Sequence, residues 1–511
     1  MASTVREVER KYDVGPAFRL PDLARLPGVR AVSAPHEQEL AATYFDTADL
    51  RLAARSVTLR RRTGGEDAGW HLKLPVAEGV RDEVRLPLGR AVRTPPRELR
   101  DRVAAHVRGA ALVPVTALAT RRVVYRLLGE DGAVLAEVAD DTVTATALLG
   151  SGDGAGGEGA SVSAWREVEV ELVGGDEALL AAAGTLLRKG GAAPSGSGSK
   201  LRRALADRLP ERAPAPDLPA KSAGAVVLTY LRGQVGALQE WDLRVRAGEP
   251  DSVHRMRIAT RRLRNALATY RPLFDRAVTE PVRAELKWLG GVLGAARDTE
   301  VIAERLLGAV RAEPPDLLLG PVAARTRTAL AGRRREELAG VRAALSDRRY
   351  FDLLDALDRL LVNPPLTARA GERATAVLRK RARAAWRRTS RAAAAVATAD
   401  DTDAALHEVR KAAKRARYAA ETARPLLGKP ARRFATRMKS VQKLLGEHQD
   451  TVVTRAELRQ LGAQAHLAGE NGFSFGRLHG HEQSRAERLE RAYPATWRAA
   501  ARPKHRRWLD G

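Results

Sequence analysis

The chain has 511 residues, with 88 Lys+Arg against 62 Asp+Glu for a formal net charge of +26, and no cysteine. That length suits two or three domains with ample core, and the missing cysteine excludes disulfide frameworks and thiolate chemistry. No apolar run approaches ~18 residues and Met1 to Glu7 has no signal-type hydrophobic segment, so membrane and export functions find no support and a cytoplasmic protein is expected.

The first part of the chain alternates in the manner of strands. Runs at Val5–Tyr12, Thr43–Asp46, Val57–Arg62, Trp70–Leu74, Asp82–Leu88, Arg121–Leu128, Ala133–Val138, Val143–Leu148 and Trp165–Val173 are divided by turn-rich segments such as Thr63-Gly64-Gly65 and Gly129-Glu130-Asp131-Gly132. The pattern predicts antiparallel β structure. By period two, Glu7, Glu9 and Lys11 share a strand face, as do Arg60 and Arg62, His71 and Lys73, Arg81, Glu83 and Arg85, Glu137 and Asp141, and Glu167, Glu169 and Glu171. One such set is ordinary on an exposed sheet. Together they predict a closed barrel or tunnel with a polar lumen, lined by cations and, at one place, by carboxylates.

Such a lumen has a definite chemistry. Lys and Arg hold consecutive phosphates as charge-assisted partners, and carboxylates that repel one another take a hard divalent cation. The cation would neutralise developing charge and orient a water, which is the arrangement of a triphosphate-hydrolysing site. No Gly-rich loop ending in Lys-Ser/Thr is present, which argues against a P-loop.

Gly150–Ser161 and Gly190–Ser199 read as flexible. Pro210, Pro214, Pro216 and Pro219 mark a linker over residues 206–221, which sets one domain at 1–205 and a second at 222–511. From Ser222 onward nearly everything reads as helix, punctuated by Pro314-Pro315 and Pro364-Pro365.

This helical part contains the same charged helix twice. His254-Arg255-Met256-Arg257-Ile258-Ala259-Thr260-Arg261-Arg262-Leu263-Arg264 returns 153 positions later from His407 to Arg417, and both copies run into Arg-Pro-Leu. Lys287, Leu293-Gly294, Asp298-Thr299 and Val301 recur 152 residues on as Lys439, Leu445-Gly446, Asp450-Thr451 and Val453. The duplication defines halves at about 222–362 and 370–511, each long enough for about four helices, and two four-helix bundles about a pseudo-twofold axis are expected. At about 100° per residue, His254, Arg257, Arg261 and Arg264 form one stripe and His407, Arg410, Lys414 and Arg417 the other. Neither stripe contains an acid, although like charges one turn apart repel. The two stripes would face one groove. Asp298 and Asp450, each four residues after a glycine, are expected to pair with a neighbouring Arg. His479-Gly480-His481 has no second ligand pair nearby and is assigned no metal.

Charge divides the same way. Residues 1–220 hold 31 Lys+Arg against 30 Asp+Glu, and residues 221–511 hold 57 against 32, so the expected partner of the second part is a polyanion.

Residues 1 to about 205 resemble the CYTH domain of the triphosphate tunnel metalloenzymes. The resemblance lies in Glu7-x-Glu9-x-Lys11, Tyr44-Phe45-Asp46-Thr47, Arg60-x-Arg62, the strand with Lys73, Glu83, Asp141, the late Glu-x-Glu and Ser199-Lys200. It implies an eight-stranded antiparallel tunnel that hydrolyses triphosphate-bearing substrates with Mg²⁺ or Mn²⁺. Glu7, Glu9 and Lys11 would form the catalytic set, and Glu7, Glu9, Asp141, Glu169 and Glu171 the metal-side carboxylates. Lys11, Arg60, Arg62, Lys73, Arg122 and Lys200 would hold phosphates. Glu167 shares the phase of the Glu-x-Glu, and Arg121 stands beside Arg122. Residues 222–511 resemble the CHAD domain, which is associated with inorganic polyphosphate, and the two stripes would be its binding residues.

The expectation is therefore an α+β two-domain chain that is a metal-dependent triphosphatase with a polyphosphate-binding second domain. The alternatives are a non-catalytic protein bound to polyphosphate granules and a nucleic-acid-binding protein. Against nucleic acid, aromatics make up only 4% of the chain and none interleave with the stripes, so stacking platforms are missing.

Overall fold

The computed structural model describes residues 3–89, 94–148, 161–210 and 216–510. Residues 150–160 of the first stretch read as flexible, and residues 211–215 of the linker, lie outside the described residues. The chain divides into two compact units, Met1–Arg212 and Ala213–Gly511.

In the first unit the strands are β1 (Ser3–Val14), β2 (Ala31–Val32), β3 (His36–Asp46), β4 (Thr58–Thr63), β5 (Gly69–Ala77), β6 (Val80–Leu86), β7 (Val113–Leu128), β8 (Val134–Ala147), β9 (Val162–Leu172) and β10 (Ala193–Pro194). The eight long ones form a closed antiparallel barrel in the order β1-β6-β5-β4-β3-β7-β8-β9, with β9 pairing back onto β1. β1 closes it by changing partners, since Ser3 to Val8 pair with β6 and Glu9 to Val14 with β9. Gly79, at φ 66°, accepts from the Glu9 amide (3.0 Å) at the switch, and a Cβ there would lie 2.8 Å from the Glu9 carbonyl oxygen. Only glycine fits.

The barrel is inverted relative to an ordinary β core. Alternate residues Val8 and Tyr12, Trp70 and Leu72, Val138, Val168 and Val170 point outward and are covered by helices α1 (Arg97–Val107) and α2 (Glu177–Lys189). Leu201 of the short α3 (Lys200–Ala204) packs on Val143 and Ala145. With the apolar side chains of the other phase facing α1 and α2, period two turns the charged ones inward, while Val143 and Ala145, in phase with Asp141, face inward against α3.

Two sequence expectations change. The runs at Ala133–Val138 and Val143–Leu148 belong to one strand, β8, because the aspartates between them are paired on both faces. Asp140 accepts from Arg166 outside (2.7 and 2.9 Å) and Asp141 from Arg122 inside (2.6 and 2.7 Å). Gly190–Ser199 is held in place as well: Ala193 and Pro194 pair with Asp13 and Tyr12, and Ser195 donates to the Lys11 carbonyl at 2.9 Å.

The second unit is helical: α4 (Ala223–Ala247), α5 (Ser252–Thr269), α6 (Arg276–Ala312), α7 (Val322–Ser346), α8 (Arg348–Val362), α9 (Ala374–Ala395), α10 (Thr402–Leu467) and α11 (Phe473–Ala500). α10 is two helices joined at Gly428 (φ 55°, ψ −134°). α9, the two segments of α10, and α11 thus repeat α4, α5, α6 and α7, with α8 between the copies. Reciprocal contacts mark the pseudo-twofold relation: Ala223 donates to the Glu372 carbonyl (2.8 Å) and Ala374, its counterpart, to that of Lys221 (3.0 Å). The copies also meet through α5 and the first segment of α10, where Arg261 Nε donates to Tyr418 Oη (2.9 Å) and Tyr270 Oη to the Ala419 carbonyl (3.3 Å). Among the described residues no helix is long and apolar enough to cross a membrane.

Candidate active site and anion groove

β-pairing assembles the lumen from residues far apart in the chain. The register sets Lys11 opposite Glu169, Glu9 opposite Glu171, Lys73 opposite Glu83, Arg122 opposite Asp141 and Arg60 opposite His71. The resulting cavity, about 70 Å³, is lined by Glu7, Glu9, Lys11, Arg60, Arg62, Lys73, Arg122, Glu169, Glu171 and Lys200, together with Arg81, Glu83 and Arg85. Asp141 is fully buried behind Arg122 and does not line it. Arg121 lies on the outer face, paired with Glu37 (2.7 Å), so of the two neighbours Arg122 alone enters the lumen.

The carboxylates fall into two groups. Asp141, Glu167 and Glu169 converge, with oxygens within 4.8 Å of one another, but Lys200 Nζ sits among them at 2.9, 2.8 and 2.7 Å. Ser199 caps α3 by accepting from the Arg202 amide (3.2 Å), which sets Lys200 in the first turn. A cation there opposes the helix dipole. Burial also works against its charge, yet Asp141, Glu169 and Glu167 hold the ammonium well above its ordinary range.

In the second group Glu7 accepts from Lys73 (2.6 Å) and Arg85 (3.3 Å), and Glu9 forms ion pairs with Lys11 (3.1 Å) and Arg81 (3.3 Å). Burial would raise Glu9, but Lys11 and Lys73 outweigh it and hold the carboxyl at about 2. Glu171 has no cation within ion-pair distance among the described residues; burial first, then the charge of Glu7, push it up to about 7. These are hard oxygen donors with one carboxyl lacking a counter-charge, a set that fits a divalent cation of the Mg²⁺ or Mn²⁺ type.

The facing wall holds Arg60 and Arg62, of which Arg62 pairs with Asp67, itself a lining residue. Arg60 is hydrogen-bonded to Tyr44 Oη (3.2 Å) and meets no carboxylate among the described residues. Burial, then Arg60 and Arg122, lower Arg62 to about 9. The Nε groups of both Arg60 and Arg62 are buried donors without an acceptor. Such donors cost free energy until a ligand oxygen satisfies them.

In the second unit, His254, Arg257, Arg261 and Arg264 of one stripe and His407, Arg410 and Lys414 of the other line a single groove of about 1310 Å³. Arg417 does not reach it; the side chain lies over the Tyr418 ring (4.6 Å to the centroid) and pairs with Glu421 (3.3 Å). Arg257 pairs with Asp298 at 2.9 Å, and Asp450 holds the corresponding relation to Arg410 through charge. Those arginines lie across Gly294 and Gly446, where a Cβ would sit at ordinary contact distance from the guanidinium of Arg257 (3.4 Å) or Arg410 (3.6 Å). Burial first, then Arg410, Arg261, Arg257 and Arg417, lower Lys414 to about 6. Cations from both copies therefore act on one ammonium.

An aromatic does follow the second stripe. Tyr418 is only 2% exposed and sits beneath Arg261, Arg262 and Arg417, so it offers no face to a base. The stripes did not reveal Lys287, Arg381, Arg388 and Arg391, which also line the groove. The run of cations from Arg379 to Arg391 was the available signal. Elsewhere, buried His448 joins Glu490 (3.0 Å) and Asp403 (3.3 Å), with Arg455 on Asp403 (3.0 Å), a closed hydrogen-bonded set.

Comparison with known proteins places these units. The CYTH domain family matches residues 5–205 and the CHAD domain family residues 229–459. Two uncharacterized proteins from two strains of Mycobacterium tuberculosis are each 40% identical over 507 residues, 96% of this chain and 96% of their own. The thiamine-triphosphatase of Macaca fascicularis is 41% identical over 80 residues, 16% of this chain and 31% of that one. A crystal structure of the CHAD domain from the plant Ricinus communis is similar over 57% of this chain and 96% of that one, at 27% identity and a TM-score of 0.45.

Proposed function

The chain belongs to the proteins that join an N-terminal CYTH domain to a C-terminal CHAD domain, and on that premise we propose that it is a divalent-cation-dependent triphosphatase whose second unit binds inorganic polyphosphate. The observation that carries the first half is the split lumen: the buried Nε groups of Arg60 and Arg62 have no acceptor and face an acidic wall in which Glu171 lacks a counter-charge. A triphosphate with its cation supplies what each wall lacks.

Glu7, Glu9 and Glu171 would hold the cation, which when bound neutralises phosphoryl charge and activates water. Arg60, Arg62 and Arg122 grip the phosphates, and Asp141 positions Arg122 through its two hydrogen bonds. Lys11 and Lys73 stand between the walls and pass from carboxylate to phosphate when substrate enters. Lys200, tied to three carboxylates, closes that side of the lumen.

The groove of the second unit brings seven of the eight stripe residues to one surface. Among the described residues Arg261, Arg264, Arg410 and Lys414 have no carboxylate within ion-pair distance, so they remain available to a polyanion. Phosphate release from inorganic triphosphate, nucleoside triphosphates and thiamine triphosphate, with Mg²⁺, Mn²⁺ or EDTA, tests the first half. Turnover unchanged in EDTA would overturn it. Calorimetric titration with polyphosphate, before and after Arg261→Gln, Arg264→Gln and Lys414→Gln are combined, tests the second, and undiminished affinity in the triple variant rejects the groove.

A further inference from the structure

The two copies in the helical unit have diverged on one helix. The reciprocal contacts of Ala223 and Ala374 align α4 with α9, and where α9 carries Arg379, Lys380 and Arg387, α4 carries Leu228, Thr229 and Gly236. No residue of α4 lines the central groove, whereas α9 sends Arg381, Arg388 and Arg391 into it. Arg381 and Arg391 also line a second, open depression of about 650 Å³ along α9, walled by Arg379, Lys380, Arg383 and Arg387. Lys380, Ala384, Arg387 and Arg391 recur at helical spacing on one face, with small alanines 376 and 384 leaving the floor low. The one acid there, Asp510, is paired with Arg383 (3.3 Å).

We infer that a polyphosphate chain too long for the central groove leaves it across α9, so that the duplicated unit binds long polyanions asymmetrically, over its second copy only. This rests on the groove itself holding polyphosphate. The surface favours polyphosphate over nucleic acid because its aromatic, Trp386, is buried against Trp497 (5.4 Å between centroids) and Phe434 (6.0 Å) beneath Arg506, leaving charge without a stacking face.

The test uses the full chain with Arg60→Ala and Arg62→Ala, which remove the tunnel as a competing phosphate site, titrated with tripolyphosphate and with long-chain polyphosphate. Combining Arg379→Gln, Lys380→Gln and Arg387→Gln is expected to weaken long-chain binding by about tenfold or more and to shrink its log-log salt slope by about two. Tripolyphosphate binding should stay unchanged, which also shows the variant folded. A charge-matched control replaces Arg432, Arg433 and Arg437, which line a separate depression sharing no residue with the groove. Equal losses from α9 variant and control would reduce the effect to bulk charge and overturn the path, as would unchanged long-chain affinity in the α9 variant. Displacement of long polyphosphate by single-stranded RNA of equal charge at equal concentration would make the partner a nucleic acid instead. If the groove variants at Arg261, Arg264 and Lys414 lose nothing with either ligand, the groove reading has failed, and the exit path fails with it.

Discussion

At the scale of single residues the two sites are governed by unbalanced charge. In the tunnel, Arg60 is a buried cation without a carboxylate partner, so Arg60→Ala breaks no ion pair and costs one hydrogen bond, to Tyr44, besides the proposed grip on phosphate. A charge-assisted hydrogen bond contributes about 1.5–3 kcal/mol, and kcat/KM for the triphosphate is expected to fall by roughly ten- to a hundredfold. Glu9→Gln should instead raise the divalent-cation concentration needed for half-maximal rate, read from a Mg²⁺ titration; a normal Mg²⁺ dependence would remove Glu9 from the cation site. In the groove, Lys414 is held at about 6 against an ordinary 10.5. Between those values the folded chain keeps it neutral while the unfolded chain protonates it, so unfolding takes up a proton and this residue's contribution to stability rises with pH. Below 6 both states are charged and the full repulsion is expressed. An anion beside Lys414 reverses its depression, so polyphosphate binding at pH 8 should take up a proton and weaken as pH rises further. Calorimetry in buffers of different ionisation enthalpy reads that uptake, and Lys414→Arg should abolish it while keeping affinity. No uptake in the parent chain would show that Lys414 does not face the ligand.

At the scale of elements, what was legible depended on whether periodicity alone decides it. Period two put Glu7, Glu9 and Lys11 on one face, and helical spacing grouped each basic stripe, because those relations lie within one strand or one helix. Pairing partners were not legible. Lys11 and Glu169 are 158 residues apart, and only closure of β1 on β9 brings them together. The same limit hid the fate of Asp140 and Asp141: two adjacent acids read as a break until β7 and β9 supplied an arginine on each face. Arg417 had the right phase and still left the groove, since Tyr418 and Glu421 on its own helix hold it. The cations of α9 went unread because, Arg383 apart, they have no cationic counterpart in the first copy. The repeated glycines, by contrast, carry a direct prediction. At Gly294 a Cβ would sit at ordinary contact distance from Arg257, so Gly294→Ala should bind polyphosphate as the parent does. Gly294→Leu has to push the guanidinium off the helix and should weaken binding several-fold without altering tunnel turnover. Equal affinity of the Leu variant would mean that the resting place of Arg257 is irrelevant to the ligand.

At the scale of the molecule, each unit has its own core. Every apolar cluster around the barrel is drawn from residues between Val8 and Leu209, and that joining α6, α7, α10 and α11 from residues between Ile302 and Leu478. Proline content and the change of period pointed to a linker over residues 206–221, whereas the inversion of the barrel was legible only as an excess of charge on strand faces. A fragment of residues 1–212 is therefore expected to fold and hydrolyse triphosphate, and a fragment of residues 213–511 to fold and bind polyphosphate. Their responses to salt should differ. The second fragment carries almost all of the excess positive charge, and an extended polyanion bound by many Lys and Arg releases condensed counterions, so its affinity should fall steeply and linearly on a log-log salt plot. The first is nearly charge-balanced as a whole and would hold its ligand in a buried lumen, where screening is weak, and its KM for a triphosphate should vary far less over the same salt range. A fragment of residues 1–212 that is unfolded by circular dichroism and rescued only by adding the rest of the chain would show that the barrel depends on the helical unit. Parallel salt slopes for hydrolysis and for polyphosphate binding would show instead that one surface serves both, which the separate cores and the separate charge balances of the two units do not allow.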